Sequence, residues 1–300
     1  MTAPIVVPNQ SLPPRPLSLP GISISSTQDI LNDDTRLAMM VWGPSGVGKT
    51  RLAGSLHSLT MEFMGKPTLY IAVESAEGGG AVTIRDMNIP LWTPKSWKEL
   101  ESGLQALKGD KQFGGIVVDS ASDVTKRWIK DVALKYPCRE KSPVITGPRG
   151  EGIPAQSDYQ VMGELARQMF NSILNISSNP DPALKKHVLV TALDKTFTDE
   201  DSKRITWHGP SLPGAAATES VGMFQIVGTI ELRTQLKDGK RCVGRYLKTQ
   251  KDDGADALKD RFNIFPKDFP LKDLEGKDGM DLKDMWKNYW LPAVEKAKKR

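Results

Sequence analysis

The sequence predicts an α/β fold: a mostly parallel sheet with helices on both faces and a β-hairpin added near the C-terminus. Three observations carry this. Short apolar runs of buried-strand type recur at Leu37–Trp42, Thr68–Val73, Gly115–Val118 and His187–Leu193. Stretches with apolar residues at helical spacing separate them, and such alternation marks a parallel sheet with helical crossovers. Between the first strand and the first helix, Gly43 to Thr50 read GPSGVGKT, which fills the pattern G-x-x-x-x-G-K-[ST] without a mismatch.

Each element follows in order. Residues 1–21 are rich in proline, with PPRP at positions 13–16, and read as a mobile leader because proline donates no backbone hydrogen bond. Residues 22–266 then form one domain. After the first strand, Leu52, Leu56, Leu59 and Phe63 recur at helical spacing. A strand is expected at Thr68–Val73, a helix at Trp97–Leu107, and a strand at Gly115–Ser120 that ends on the carboxylate of Asp119. Pro137–Ser157, with Gly147, Gly150 and Gly152, reads as a loop. Tyr159–Ile176 reads as an amphipathic helix with Met162, Leu165, Met169, Ile173 and Ile176 on one face. Thr196–Gly214, after the fourth strand, reads as a second polar loop. Phe224–Leu232 and Gly244–Gln250, joined by a turn at Lys237–Lys240, read as a hairpin added antiparallel at the sheet edge. Residues 267–300 form a charged extension ending in a helix with Trp286, Tyr289 and Trp290.

Composition narrows the class. The 300 residues carry 41 Lys and Arg against 36 Asp and Glu, a net charge of +5 that permits a polyanionic partner. Cys138 and Cys242 cannot build a disulfide framework, and no paired zinc ligands occur. With no signal-like core and no membrane-length apolar run, a reducing cytoplasm is expected.

The octapeptide carries the chemistry. Glycines let successive N–H groups turn toward a phosphate chain. Gly43, Pro44, Ser45, Gly46, Val47, Gly48, Lys49, Thr50 and Arg51 are therefore the candidate nucleotide-binding residues. Lys49 reaches the β- and γ-phosphates, the Thr50 hydroxyl ligates Mg²⁺, and the following helix turns its positive end to the same anion. Asp119 is the acid that would hold the Mg²⁺ water shell beside Thr50. Glu74, just past the second strand, is the candidate base for the attacking water, with Glu77 as its competitor.

The order of these motifs resembles the RecA-like P-loop NTPase core, and most closely the phage Sak-type single-strand annealing and recombination ATPases. The resemblance runs from Leu37 to Pro266: the phosphate loop, Glu74, Val117–Ser120, Met162–Met169 after a glycine-rich loop, and Pro213–Ala217 before the next strand. It implies an ATP- and Mg²⁺-using, DNA-dependent ATPase that binds single-stranded DNA. It also implies a homo-oligomeric ring or filament, a single-strand-binding protein as a further partner, and the cytoplasm of a bacterial host as location.

Two DNA loops are implied, 139–157 with Arg139, Lys141 and Arg149, and 195–213 with Lys195, Lys203, Arg204, Trp207 and His208. Lys248, Lys251, Lys259 and Arg261 are the candidates for a cation supplied in trans. This chain departs from the family after the fourth strand, where Thr191, Asp194 and Lys195 stand in for the usual γ-phosphate sensor. Two other functions fit the phosphate loop. One is a nucleotide-gated assembly module acting through a protein partner, and the other is a small-molecule kinase.

Overall fold

The computed structural model describes residues 31–74, 79–135, 145–148, 152–199, 202, 204–237, 240–251, 256–272 and 279–299. The leader, Glu77, Arg139, Lys141, Arg149 and Lys203 lie outside the described residues.

In chain order, β1 (Ala38–Gly43) leads through the phosphate loop into α1 (Lys49–Gly54) and α2 (Leu56–Met64). Then come β2 (Thr68–Ala72), a 3₁₀ segment (Gly80–Met87), β3 (Leu91–Trp92) and α3 (Trp97–Gly109), whose first turn is capped by the Ser96 hydroxyl. Beyond β4 (Gly115–Asp119), α4 (Ala121–Val124) and α5 (Lys130–Leu134) flank a π-helical turn, Thr125–Ile129. The short strands β5 (Ile145–Thr146) and β6 (Gly152–Ile153) pair before the long helix α6 (Gln156–Ser177). The second half holds β7 (His187–Thr198), β8 (Ile205–Pro210), α7 (Ala216–Met223), β9 (Ile226–Lys237), β10 (Lys240–Lys248), β11 (Lys259–Asp260) and β12 (Asp268–Pro270). It closes with α8 (Leu282–Met285), a π-helical turn and α9 (Leu291–Lys298).

Among the described residues the main sheet runs β12-β10-β9-β1-β7-β4-β2-β3. Strands β9 to β3 in that order are parallel, while β10 runs antiparallel to β9 and β12 antiparallel to β10. This is the predicted α/β architecture, a mostly parallel sheet with helices on both faces and an added hairpin. The hairpin is anchored by its first strand, which lies parallel to β1 through Met39↔Ile226 to Trp42↔Thr229, and only its return strand is antiparallel.

Strand β1 shows why the sheet is covered on both faces. Ala38, Met40 and Trp42 point into a core under α3, α4 and α6, while Met39 and Val41 point into a core under α1, α2 and the C-terminal helices. A strand buried on both sides reads as one apolar run rather than an alternation. Residues beyond 266, expected as a charged extension, add β12 to the sheet and bury Trp286 and Trp290, stacked 4.7 Å apart, in the second core. Among the described residues no helix is long and apolar enough to cross a membrane.

The stretch expected as a second polar loop is different. Strand β7 continues past the core to Thr198, and β8 returns against it through Asp194↔Pro210 and Phe197↔Trp207. Backbone pairing stabilises this hairpin at the edge of the core, where Trp207 packs against the core while Phe197 and Ile205 stay exposed, so no regular apolar alternation marks the strands. That is why its polar sequence reads as a loop.

Candidate functional site

The phosphate loop leaves the carboxyl end of β1, the sheet position flanked by β9 and β7. Gly46 and Gly48 have φ of 80° and 100°, a region in which a side chain is strained, so the tight turn selects glycine. Val47 turns its side chain into the core and offers only its backbone to the loop. The buried Lys49 ammonium spans the loop, donating to Gly43 O (2.8 Å) and Pro44 O (2.7 Å). Burial holds its pKa below the ordinary lysine value, against the opposing pull of Asp119, Asp194, Asp123 and Glu74. Arg51 borders the cavity over the loop and pairs with Asp86 (2.7 Å) and Thr83 O (3.1 Å) on the 3₁₀ segment.

Asp119 ends β4, one strand beyond β7, and side chains from three other elements meet it. Thr50 Oγ1 donates to Asp119 Oδ2 at 2.8 Å, the Tyr70 hydroxyl donates to the same oxygen, and Thr191 Oγ1 donates to Oδ1. Tyr70 is fully buried, and burial together with the Asp119 charge pushes its phenol well above the ordinary value, so it stays a donor. Of the three substitutes for a γ-phosphate sensor, Thr191 is the one that touches the acid. Asp194 instead lies 3.6 Å from His208 Nε2, and Lys195 Nζ sits 4.5 Å over the Phe197 ring.

Glu74 borders the same cavity, of about 490 Å³, and its Oε2 accepts the Gly80 N–H at 3.1 Å. Gly80 lies against the Thr50–Asp119 pair, where an added Cβ would fall 2.7 Å from Thr50 Oγ1. Sequence reasoning missed Arg245. It reaches from β10 over the loop, within 3.0 Å of a Cβ placed on Gly48. Its only sequence signal is its place on the hairpin strand, and that signal depends on which strand lies beside β1.

The donor set suits a hard divalent cation. Thr50 and Asp119 offer a hydroxyl and a carboxylate side by side. Among the described residues no three carboxylate, imidazole or thiol groups cluster to hold a metal unaided. Mg²⁺ is a cation of this kind, commonly bound through one or two protein oxygens together with substrate phosphates and water.

Other candidates fall elsewhere. Lys248 is a correction: it is buried at 5% exposure and pairs with Asp256 (2.7 Å) and Glu231 (3.5 Å), so it is no surface cation for a neighbouring subunit. Lys259 and Arg261 both donate to Gly222 O at 2.8 Å, beside the amino end of β9 and away from the phosphate loop. Lys251 is exposed. In the β7–β8 hairpin Arg204 is exposed near the tip. Trp207 is half-buried against Phe197, ring centroids 5.4 Å apart, so Phe197 presents the freer aromatic face.

Fold and site together define a P-loop nucleotide-binding ATPase. The chain belongs to the AAA-domain family, whose model matches residues 35–262. No curated protein sequence matches it. Among solved structures, a KaiC-like protein from the hyperthermophilic archaeon Pyrococcus horikoshii OT3 is similar at 12% identity and a TM-score of 0.44, covering 84% of this chain and 94% of that one.

Proposed function

We propose that this protein is a Mg²⁺-dependent ATP hydrolase that couples its nucleotide state to the binding of single-stranded DNA, and that assembled copies promote annealing or strand exchange of phage DNA. One observation carries the reading. Leu193 borders the phosphate cavity, and Lys195, two residues along the same strand, borders a neighbouring groove of about 540 Å³. That groove carries Lys126, Lys130 and Lys195 with Tyr159 and Phe197, and both aromatic residues are 46% exposed. Cations neutralise a phosphodiester backbone and release counterions, and each aromatic face can stack a base for roughly 1–3 kcal/mol.

Within the site, Lys49 and the loop amides would hold the phosphates. Thr50 and Asp119 would hold Mg²⁺, which when bound offsets charge on the β- and γ-phosphate oxygens. Glu74 would take the proton of the attacking water, and Arg245 adds positive charge from the same chain. Tyr70 and Thr191 keep Asp119 oriented. Movement at Asp119 has a short route to the groove: Leu193 N–H donates to Ser122 Oγ (3.0 Å), which donates to Ser211 O (2.8 Å) at the hairpin base. A ring or filament, with a cation from Lys251, Lys259 or Arg261 of a neighbour, belongs to the same proposal.

The test is steady-state ATP hydrolysis with and without single-stranded DNA. DNA should stimulate the rate, Lys49→Ala should abolish it, and Lys130→Ala with Lys195→Ala should remove the stimulation. Slow hydrolysis indifferent to DNA, with ATP still bound, would reject DNA coupling and leave a nucleotide-gated module.

A further inference from the structure

His208 stands between two carboxylates. Its Nδ1 lies 3.1 Å from Asp256 Oδ1 and its Nε2 lies 3.6 Å from Asp194 Oδ2. We propose that His208 is a positioning residue: as an imidazolium it clamps the β7–β8 hairpin, through Asp194, to the segment that carries Asp256, and loss of its proton loosens the hairpin. What the clamp does for DNA rests on the proposed function; the clamp itself does not.

Strand register brings the groups together. Asp194 pairs with Pro210 and Thr196 with His208, so alternation sets Asp194 and His208 on one face of the hairpin as diagonal neighbours. Lys195, Phe197 and Trp207 fall on the other face, and the first two of these border the basic groove. His208, implied as a DNA-loop residue, does not line that groove.

The far side of the clamp is fixed to the phosphate-loop strand. Ala257 N–H donates to His208 O (2.7 Å), and Trp42 Nε1 donates to Ala257 O (3.1 Å). A Cβ on Gly209 would fall 2.5 Å from Ala257 Cβ, so the two segments lie in close contact. Trp42, next to the first loop glycine, sets its ring edge-on to the imidazole with centroids 4.6 Å apart. Lys248 Nζ donates to Asp256 Oδ2 (2.7 Å), which leaves Oδ1 for His208. Against the desolvation of partial burial, hydrogen bonds from Lys248 and His208 hold the Asp256 carboxyl below its ordinary value.

Among the described residues, Asp194 of β7 and Asp256 face the ring, Lys248 of β10 stands behind Asp256, and β1 contributes Trp42 and no charge. An imidazolium donates from both nitrogens and meets both carboxylates. A neutral imidazole donates from one, and its other nitrogen turns a lone pair toward a carboxylate. Asp194 also pulls on the Lys49 ammonium, so the clamp holds a carboxylate that acts on the phosphate loop.

The experiment is amide hydrogen exchange of the full chain without ligand, followed by mass spectrometry on peptides covering 194–198 and 205–210 and on peptides from β1 and β4. Local opening of the hairpin sets the exchange of its paired amides, once rates are corrected for the intrinsic effect of pH. His208→Gln, which carries no titrating ring, should speed hairpin exchange about fivefold at about pH 6. Between about pH 6 and about pH 8, where imidazoles ordinarily change charge, exchange should quicken about threefold in the protein and stay level in His208→Gln and in Asp194→Asn. The β1 and β4 peptides should not change. Hairpin exchange that ignores pH in the protein, or variants that speed β1 and β4 as much as the hairpin, would overturn the inference. Single-stranded DNA is then added to the protein: if hairpin exchange stays unaltered, the DNA reading fails, while the pH result still decides the clamp.

Discussion

His187 should make the fold acid-sensitive. It opens β7, is 1% exposed, accepts the Leu37 N–H at Nδ1 (3.0 Å), and sets its ring edge-on to Trp286 with centroids 4.7 Å apart. Burial, and then the Arg36 charge, lower its pKa from 6.5 to about 3. The unfolded chain therefore binds this proton more readily than the folded one. The neutral imidazole's contribution is complete above the unfolded pKa and is lost as pH falls toward the folded value. Linkage between those two pKa values makes the loss about 2 kcal/mol at about pH 5 and roughly 3 kcal/mol at about pH 4. Against a total stability on the order of 5–15 kcal/mol, that is a large share. Urea unfolding of the protein and of His187→Gln, whose amide oxygen can still accept the Leu37 N–H, separates this group from the carboxylates. Between about pH 7 and pH 5 the protein should lose about 2 kcal/mol more than the variant. Equal losses would refute the argument that a neutral, buried imidazole is held here.

Other outcomes follow from the site. Thr191→Val removes the hydroxyl that donates to Asp119 Oδ1 at a fully buried position. A hydrogen bond to a charged group is worth about 1.5–3 kcal/mol, so kcat should fall about tenfold or more while ATP affinity changes less. Hydrolysis at saturating ATP with a separate binding titration checks this, and an unaltered kcat would count against it. Arg245→Ala should lower kcat by roughly tenfold to a hundredfold if the guanidinium serves the phosphates from the same chain. A change confined to KM would place it in ground-state binding instead. Lys248→Met should destabilise the fold by about 2–3 kcal/mol, less than a wholly buried pair because Asp256 is 23% exposed. Urea unfolding measures it, and no loss of stability would show that the pair is not structural.

The phosphate loop and the first parallel strands could be read without coordinates because their physics is local. GPSGVGKT encodes its turn through glycine and its charge through Lys49, and fully buried strands announce themselves as apolar runs. The pairing of Thr50 with Asp119 could be anticipated for a related reason, since a short apolar strand ending on an acid places that acid at the carboxyl end of the sheet. Strand order decided the rest. Because β9 lies beside β1, its partner β10 carries Arg245 over Gly48, and the β7 neighbour of β4 brings Thr191 to Asp119. The same packing buried Lys248, turned an expected loop into the β7–β8 hairpin, and set His208 between Asp194 and Asp256. Residue types determined which groups could do phosphate chemistry. Contacts between residues far apart in the chain determined which groups reach it, because strand adjacency depends on how the whole chain buries both faces of the sheet.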